Sequence, residues 1–381
     1  MSKLSTEVLI VGAGPAGLAT AVSLAQAGVK FVIVDALPEA QNTSRAAVIH
    51  AATLQSLGKL GVADQLICQG IKVPHFRVRE RDAVLFHGDF SSLPGPWPYA
   101  LMIPQDETEA ILINRLAKLG QRIIRPARLS GFESTNEGVR ATVDGPDGSV
   151  VVEARYIVGS DGEKSTVRCC AGIPFPGHTY GSFLLADVRM DWPLPKSEVT
   201  LFFAEGGVLV VVPMSNERYR VVAQLENAPS EPAIGDVQRI INERGLSSGA
   251  MVHDLLWGSR FQVHHKLADQ FRAGPVLLVG DAAHVHSPAG GQGMNLGLRD
   301  AVALGDCLAN VLGSAHDADL DRYAAERRTA ARKVLAMTAR LTRIATLQAP
   351  ALRWTRNLVL ACAGSLPMAR RAVAARIAGL A

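Results

Sequence analysis

The stretch GDAAHVHSPAGGQGMNLGLRDA, residues 280–301, comes directly after the apolar run VLLV at 276–279. A short apolar run bounded by glycine predicts a strand, and the residues beyond it are too rich in glycine for an ordinary turn. Gly290, Gly291, Gly293 and Gly297 lie within eight residues. Glycine lets backbone amides approach a flat or anionic ligand with no Cβ in the way. A helical pattern begins at 293–295. The stretch therefore predicts a strand, an acidic residue, an open loop, and a helix whose positive N-terminus points at whatever the loop holds.

A second glycine motif stands near the N-terminus. The apolar run VLIV at 8–11 leads into Gly12, Ala13, Gly14, Pro15, Ala16 and Gly17, then an Ala-rich helical run to 27, then a second apolar run at 31–34 that ends on Asp35. This is a dinucleotide fingerprint with its βαβ context complete. Gly12, Gly14, Pro15, Ala16 and Gly17 form the phosphate turn, and Asp35, with Ala36 beside it, stands 18 residues past the third glycine, where an acid meets a ribose hydroxyl. The motif alone does not separate FAD from NAD(P). No second fingerprint occurs downstream.

The two motifs together resemble those of the group A flavoprotein monooxygenases, the family of para-hydroxybenzoate hydroxylase and the aromatic polyketide hydroxylases. The resemblance implies FAD as resident cofactor, with Asp281 bonding the ribityl chain. Pro288, Gly291, Gly293, Met294 and Asn295 would then lie along the isoalloxazine ring. SRAA at 44–47 matches the family's Arg-Ala pair and places Arg45 on the FAD phosphates or near the ring. Arg45 and Pro288 are nearest the expected path of the flavin; no catalytic residue is identified. IPQ at 103–105, with Glu109 beyond it, matches the family's helix start and assigns Gln105 to the ribityl or ribose region. The family also brings backbone near Leu129 to the adenine. ARYIVGSDG at 154–162 resembles the acid-glycine motif linked in the family to FAD and NAD(P)H use, and it adds Asp161.

Between the motifs, residues 44–61 carry apolar positions at helical spacing, and 75–100 breaks into short strand-like pieces around Pro94, Pro96 and Pro98. Asp144-Gly145 and Asp147-Gly148 are hairpin signals. The pieces 182–187, 199–203, 208–213 and 218–224 have strand character, and 320–347 is a long Ala/Arg helical pattern whose Arg322, Arg327, Arg328, Arg332 and Lys333 are expected on a solvated face. The fold class is α/β: a Rossmann-like FAD-binding domain (1–74, 101–176 and 266–330), a mostly antiparallel β-sheet substrate domain (75–100 and 177–265) and C-terminal helices (331–381). Phe76, Tyr99, Phe183, Phe202, Val210, Met214 and Arg220, with Leu185 and Val212, are candidates to line a substrate cavity over the flavin.

At 381 residues the chain has room for two domains. Lys and Arg number 39 against 35 Asp and Glu, too weak a balance to suggest a nucleic-acid partner. The apolar runs are far short of the ~20 residues a membrane span needs, the N-terminus lacks the pattern of a secretory leader, and five cysteines with no CxxC motif argue against a disulfide framework. The expected location is the cytoplasm, and no thioredoxin-like C-terminal domain is expected. His284 and His286 are two apart, a spacing that suits a strand more than a metal-binding helix face, so no metal is assigned.

The resemblance implies that NAD(P)H, as NADPH or NADH, reduces FAD and that O2 then hydroxylates a small phenolic or polyketide-like aromatic substrate through a flavin hydroperoxide. A homodimer stays open. Lys266 and Pro275 depart from common family residues, and residues 295–300 also resemble quinone-biosynthesis hydroxylases. A flavin-dependent halogenase, a flavin oxidoreductase without oxygen transfer and a nonenzymatic flavin sensor are the alternatives.

Overall fold

Val8, Leu9 and Ile10 have no exposed surface, because the strand Ser2–Val11 is flanked by Phe31–Val34 on one side and Gly148–Gly159 on the other, both parallel to it. A parallel strand covered on both faces carries an unbroken apolar run rather than an alternation. Fully burying one such side chain contributes roughly 1.5–3 kcal/mol. Val276–Leu278 adds in parallel beyond Gly148–Gly159, and Arg272–Ala273 closes that edge antiparallel. The first half of Gly148–Gly159 also pairs with Gly138–Gly145 through a tight hairpin, and Gly138–Gly145 pairs in turn with Arg128–Thr135. The computed structural model describes residues 2–40, 46–214, 217–225, 227–314 and 317–380.

The register of these parallel strands decides where chemistry can occur. Val11 is paired with Val34 and with Gly159, and Gly159 with Leu278. Their carboxyl ends thus form one line, and Gly12, Asp35, Ser160 and Val279 all step off the same edge. Main-chain bonds hold the exits together: Gly12 N–H donates to Val34 O at 2.8 Å, Ser160 N–H to Val11 O at 2.9 Å and Val279 N–H to Gly159 O at 3.0 Å. Ligands of open α/β sheets bind outside such carboxyl ends. The helices Pro15–Gln26 and Gly293–Ser314 pack on each other behind this edge. At Gly305 a Cβ would come 2.4 Å from the Ser23 side chain, so the small residue sets the approach.

A second sheet has eight strands, in the order His284–Val285, Met251–Leu267, Gly177–Asp191, Arg218–Leu225, Gly207–Pro213, Glu198–Ala204, His75–Glu80 and Ala83–Asp89. Only the pairing of Glu198–Ala204 with His75–Glu80 is parallel among the described ladders of this sheet. One face is covered by the helix Ile234–Arg244, whose Val237, Ile240 and Ile241 pack on Leu184, Ala186, Leu209, Val211 and Val221. Neither that helix nor the seventeen-residue strand Met251–Leu267 is signalled by the sequence patterns.

Two expectations require correction. Residues 44–61 do not form one helical segment: Val48–Ile49 is a strand paired with Leu101 and Met102, and the helix is Ala51–Lys59. Two β-branched residues accept a ladder offered from fifty positions away, which no local periodicity reveals. The expected boundary at residue 330 falls inside Ala318–Ala345, a single 28-residue helix. On that helix Arg327 donates to the buried Asp300 at 2.5 Å and Arg328 to Ala268 O at 3.0 Å, so these two arginines brace the core rather than a solvated face. The helices Pro350–Ser365 and Pro367–Ile377 come next and lie against Ala83–Asp89.

Candidate functional site

The three fingerprint glycines have different tasks. Gly12 has φ +99°, and a Cβ there would lie 2.4 Å from Ser160 O; at Gly17 it would lie 1.9 Å from Gly12 O and 2.6 Å from Ser160 Oγ. Both allow the turn to close onto the neighbouring loop. A Cβ on Gly14 would meet nothing within 4 Å, so this position faces an open groove. Gly14 is also the cap residue of Pro15–Gln26, which has no side-chain cap and no acid in its first turn. Its free amides and positive end suit an anionic group such as a pyrophosphate.

Asp35 braces this turn. Its Oδ2 accepts from Ala13 N–H at 2.6 Å and its Oδ1 from Leu37 N–H at 2.9 Å, while Arg125 lies 3.7 Å away and donates to Ala13 O at 3.1 Å. Ala36, beside it, is exposed. Ala127 donates to Asp35 O at 2.7 Å, and Leu129, two residues on, has its side chain in the main core.

Asp161 stands at the next exit. Its Oδ2 accepts from Thr166 N–H at 2.7 Å and Val167 N–H at 3.1 Å, which caps the short helix Thr166–Cys170. Its Oδ1 is buried with no hydrogen-bond partner among the described residues, and burial raises the carboxyl's pKa. A buried acceptor left unpaired calls for a donor, and a ligand hydroxyl would supply one. At the third exit Gly280 has φ +64°, with Ala16 Cβ 2.9 Å from where its own Cβ would stand, and a Cβ on Gly297 would lie 3.2 Å from Gly280 Cα. The two glycine motifs therefore touch, with Asp281 exposed between them in the single turn Gly280–Ala282.

The loop 288–295 is clamped to the strand Val48–Ile49. Asn295 is buried; its Oδ1 accepts from His50 N–H at 2.8 Å and its Nδ2 donates to Val48 O at 2.8 Å and Gly291 O at 2.7 Å. His50 Nε2 lies 2.8 Å from Gly290 O and so must carry the proton and donate. Burial holds this imidazole at about 4, against an ordinary 6.5. Gly291 has φ +63°, and a Cβ there would press within 2.2 Å of Val48 Cγ1. Pro288 O accepts from Gly291 N–H at 2.8 Å and so closes the loop's turn. Met294 packs on the main core, while a Cβ on Gly293 would meet nothing within 4 Å. The helix Gly293–Ser314 thus starts at an open surface. The sequence patterns do not single out His50, and no local signal marks it, because the strand Val48–Ile49 that positions it takes its partner from the remote Leu101 and Met102.

The second sheet reaches this region through Arg220. Its guanidinium is buried, donating to Asp187 at 2.7 and 2.9 Å and to Ala46 O at 2.9 Å. Ala46 N–H lies 3.4 Å from Gln105 Oε1, and Gln105 Nε2 donates to Glu109 at 2.8 Å. Arg45 lies outside the described residues. Arg218 also donates to Asp187 at 2.7 Å. Burial alone would raise the Asp187 pKa, but the Arg220 and Arg218 guanidiniums hold it below the ordinary carboxylate range.

Strand alternation sorts the cavity candidates. Phe183, Leu185, Val210 and Arg220 alternate with residues packed beneath Ile234–Arg244 and so take the opposite face, with Phe183 stacked on Phe261 at 5.6 Å. Met214 is buried at the end of the neighbouring strand, and Tyr99 lies under the Lys72 ammonium at 5.6 Å. Phe202 is not a lining residue. It has no exposed surface and packs under Ile234–Arg244 beside Trp192, on the wrong side of the sheet. Phe76 is likewise core, set between Phe86 and Phe90 at 5.9 and 5.3 Å, in the cluster that also holds Ala345 and Ala374 of the terminal helices.

A groove with two positive helix ends, an unpaired carboxylate oxygen and a glycine-opened floor can hold an extended anionic dinucleotide. Residues 5–338 match the family model described as "FAD binding domain". The chain is 36% identical over 347 residues to the 12-dehydrotetracycline 5-monooxygenase/anhydrotetracycline 6-monooxygenase of Streptomyces rimosus, covering 87% of this chain and 68% of that protein. Among solved structures, the OxyS anhydrotetracycline hydroxylase of Streptomyces rimosus superposes with a TM-score of 0.83 at 34% identity, over 99% of this chain and 76% of that one. The p-nitrophenol 4-monooxygenase PnpA of Pseudomonas putida shares the fold, with a TM-score of 0.89 at 24% identity over 100% of this chain and 99% of that one.

Proposed function

The chain belongs to the FAD-binding-domain family of flavin-dependent aromatic monooxygenases, and from that premise we propose that it uses NAD(P)H and O2 to hydroxylate a phenolic or polyketide-like aromatic ring. The observation that carries this reading is the convergence of the carboxyl ends of four parallel strands on one groove. Bound FAD supplies the redox chemistry and the activation of oxygen that side chains lack.

The chain's own residues then bind, orient and shield. Gly14 and the first amides of Pro15–Gln26 hold the pyrophosphate, and Asp35, with Ala36 and the backbone near Leu129, frames the adenosine. Asp161 accepts a cofactor hydroxyl at its unpaired Oδ1, and Asp281 and Gln105 serve the ribityl region. Pro288, Gly291, Gly293, Met294 and Asn295 set the plane of the ring, held in place by His50, and Arg45 lies along the flavin's path.

The substrate occupies the face of the second sheet opposite Ile234–Arg244, near Phe183, Val210, Met214, Arg220 and Tyr99, screened from water so that reactive oxygen is not lost. Arg220 and Arg218, paired with Asp187, are the guanidiniums this face offers, and such a group favours a phenolate over a neutral phenol. The discontinuous division into a cofactor-holding part around the parallel sheet and a substrate part around the second sheet belongs to the same reading.

The test is turnover of the purified protein with NAD(P)H and isotopically labelled O2 across phenols and polyketide aromatics. The expected result is NAD(P)H oxidation accelerated by one ligand class, with the label in its product. A protein that stays colourless when given FAD, or that oxidises NAD(P)H with no label in any product, overturns the proposal.

A further inference from the structure

The helix Pro350–Ser365 is amphipathic in the reverse sense. Its arginine and asparagine side chains point inward: Arg353 pairs with Glu80 at 3.0 Å and Glu205 at 3.2 Å, and Asn357 donates to Glu80 at 2.6 Å. Arg356, only 5% exposed, donates to Ala345 O at 3.3 Å and lies over the Phe203 ring at 5.0 Å. The outward positions recur as 351/352, 354/355, 358/359 and 361/362, the spacing of one helix face. They hold Leu352, Trp354, Leu358 and Val359, continued by Leu366 and Met368 into Pro367–Ile377. Trp354 is 68% and Met368 86% exposed. Among the described residues no helix is long and apolar enough to cross a membrane alone; this pair has the necessary composition but is bent by 101°. A contiguous apolar face of this kind marks an interaction site rather than ordinary surface.

Charge identifies the partner. Residues 327–381 contain eleven of the 39 Lys and Arg and none of the 35 Asp and Glu; Arg327, Arg328, Arg353, Arg356 and Arg370 bond within the molecule, and Arg332, Lys333, Arg340, Arg343, Arg371 and Arg376 are exposed. Arg343, in the last turn of Ala318–Ala345, and Arg371 and Arg376, on Pro367–Ile377, are exposed. A second copy docking through this face in two-fold symmetry would set these arginines against themselves, with no acid in the segment to answer them. An anionic bilayer answers both features, since it accepts the apolar side chains between its headgroups and the arginines at its surface. A tryptophan on such a face suits the interface between headgroup and acyl chain. We propose that Pro350–Ser365 and Pro367–Ile377 form a surface anchor that seats the protein on membranes rich in anionic lipid, without spanning them.

The test uses the full-length FAD-loaded protein, sedimented with vesicles of phosphatidylcholine alone or mixed with phosphatidylglycerol. Binding is expected with the anionic vesicles only, weakening as salt is raised, and with a blue shift of tryptophan emission that Trp354→Phe removes. Leu358→Glu with Val359→Glu should lower the bound fraction about tenfold or more, and Arg371→Ala or Arg376→Ala roughly fivefold each. Unchanged circular dichroism and flavin absorbance establish that the variants fold. Failure to bind either vesicle, equal binding to both, or a native dimer that the double glutamate variant splits into monomers overturns the proposal. None of these results bears on the hydroxylase reading, which does not use this face.

Discussion

At the scale of single residues, the loop that would carry the flavin ring is fastened by neutral histidines. His50 and His286 are both buried and held at about 4, in each case chiefly by desolvation. His286 Nδ1 lies 3.0 Å from Ser287 O, so its proton sits there and its buried Nε2 is a bare acceptor. In the unfolded chain each ring protonates near its ordinary 6.5. A lowered folded-state pKa means stability fully present above about 6.5 and lost as pH falls toward about 4, since the unfolded state takes up protons that the folded state refuses. The slope approaches about 1.4 kcal/mol per pH unit for each histidine. Urea unfolding measured across that window should show this fall, and His50→Gln, which keeps a donor for Gly290 O but never titrates, should reduce the slope by about one proton. A His50→Gln variant with the parental slope would remove His50 from this account.

At the scale of elements, the turn from Ser2–Val11 into Pro15–Gln26 separates fold from ligand. Gly17→Ala must push against Gly12 O and should destabilise the apoprotein by about 2 kcal/mol or more. Gly14→Ala meets no protein atom; it should leave the apoprotein's melting temperature within a degree or so and weaken FAD about tenfold or more, read by fluorescence titration, because the added methyl enters the space of the pyrophosphate. Equal FAD affinity in Gly14→Ala would move the phosphates elsewhere.

Elements of this kind are legible in the sequence because burial on both faces writes an apolar run, and the motif loops come directly after those runs. The strand Val48–Ile49 is not, since its partner Ala100–Met102 is remote and two residues carry no period. Phe202 is misplaced by sequence reading for a related reason. In the run TLFF at 200–203 both faces are apolar, Leu201 and Phe203 toward one layer and Phe202 toward the other, so composition does not tell cavity from core. Met251–Leu267 escapes notice because charged and polar residues occur along its whole length and much of it is exposed, which erases the contrast that marks a strand.

At the scale of the whole molecule, the groove is built from segments around residues 12, 35, 161 and 281, so a ligand seated there adds its own contacts to the sheet, the Asp35–Ala13 bond and the helix packing that already join them. FAD should therefore act as a stability linkage: at about a hundred times its dissociation constant it adds roughly 2.7 kcal/mol. Stripping FAD should lower the melting temperature by several degrees, and adding back FAD, but not NAD(P)H, should restore it in a calorimetric scan. An unchanged melting temperature on stripping would show that these segments do not share the ligand.

The place of Ser2–Val11 in the middle of the parallel sheet also shapes how the protein comes into being on the ribosome. One flank can zip to Phe31–Val34 as soon as that segment emerges, but the other must wait for Gly148–Gly159, which at ~5–20 residues per second leaves roughly six to twenty-five seconds of translation. For that interval an apolar strand edge stays open to any neighbouring nascent chain, so the yield of soluble protein depends on elongation speed and on chaperones that shelter the first strand until the later ones arrive.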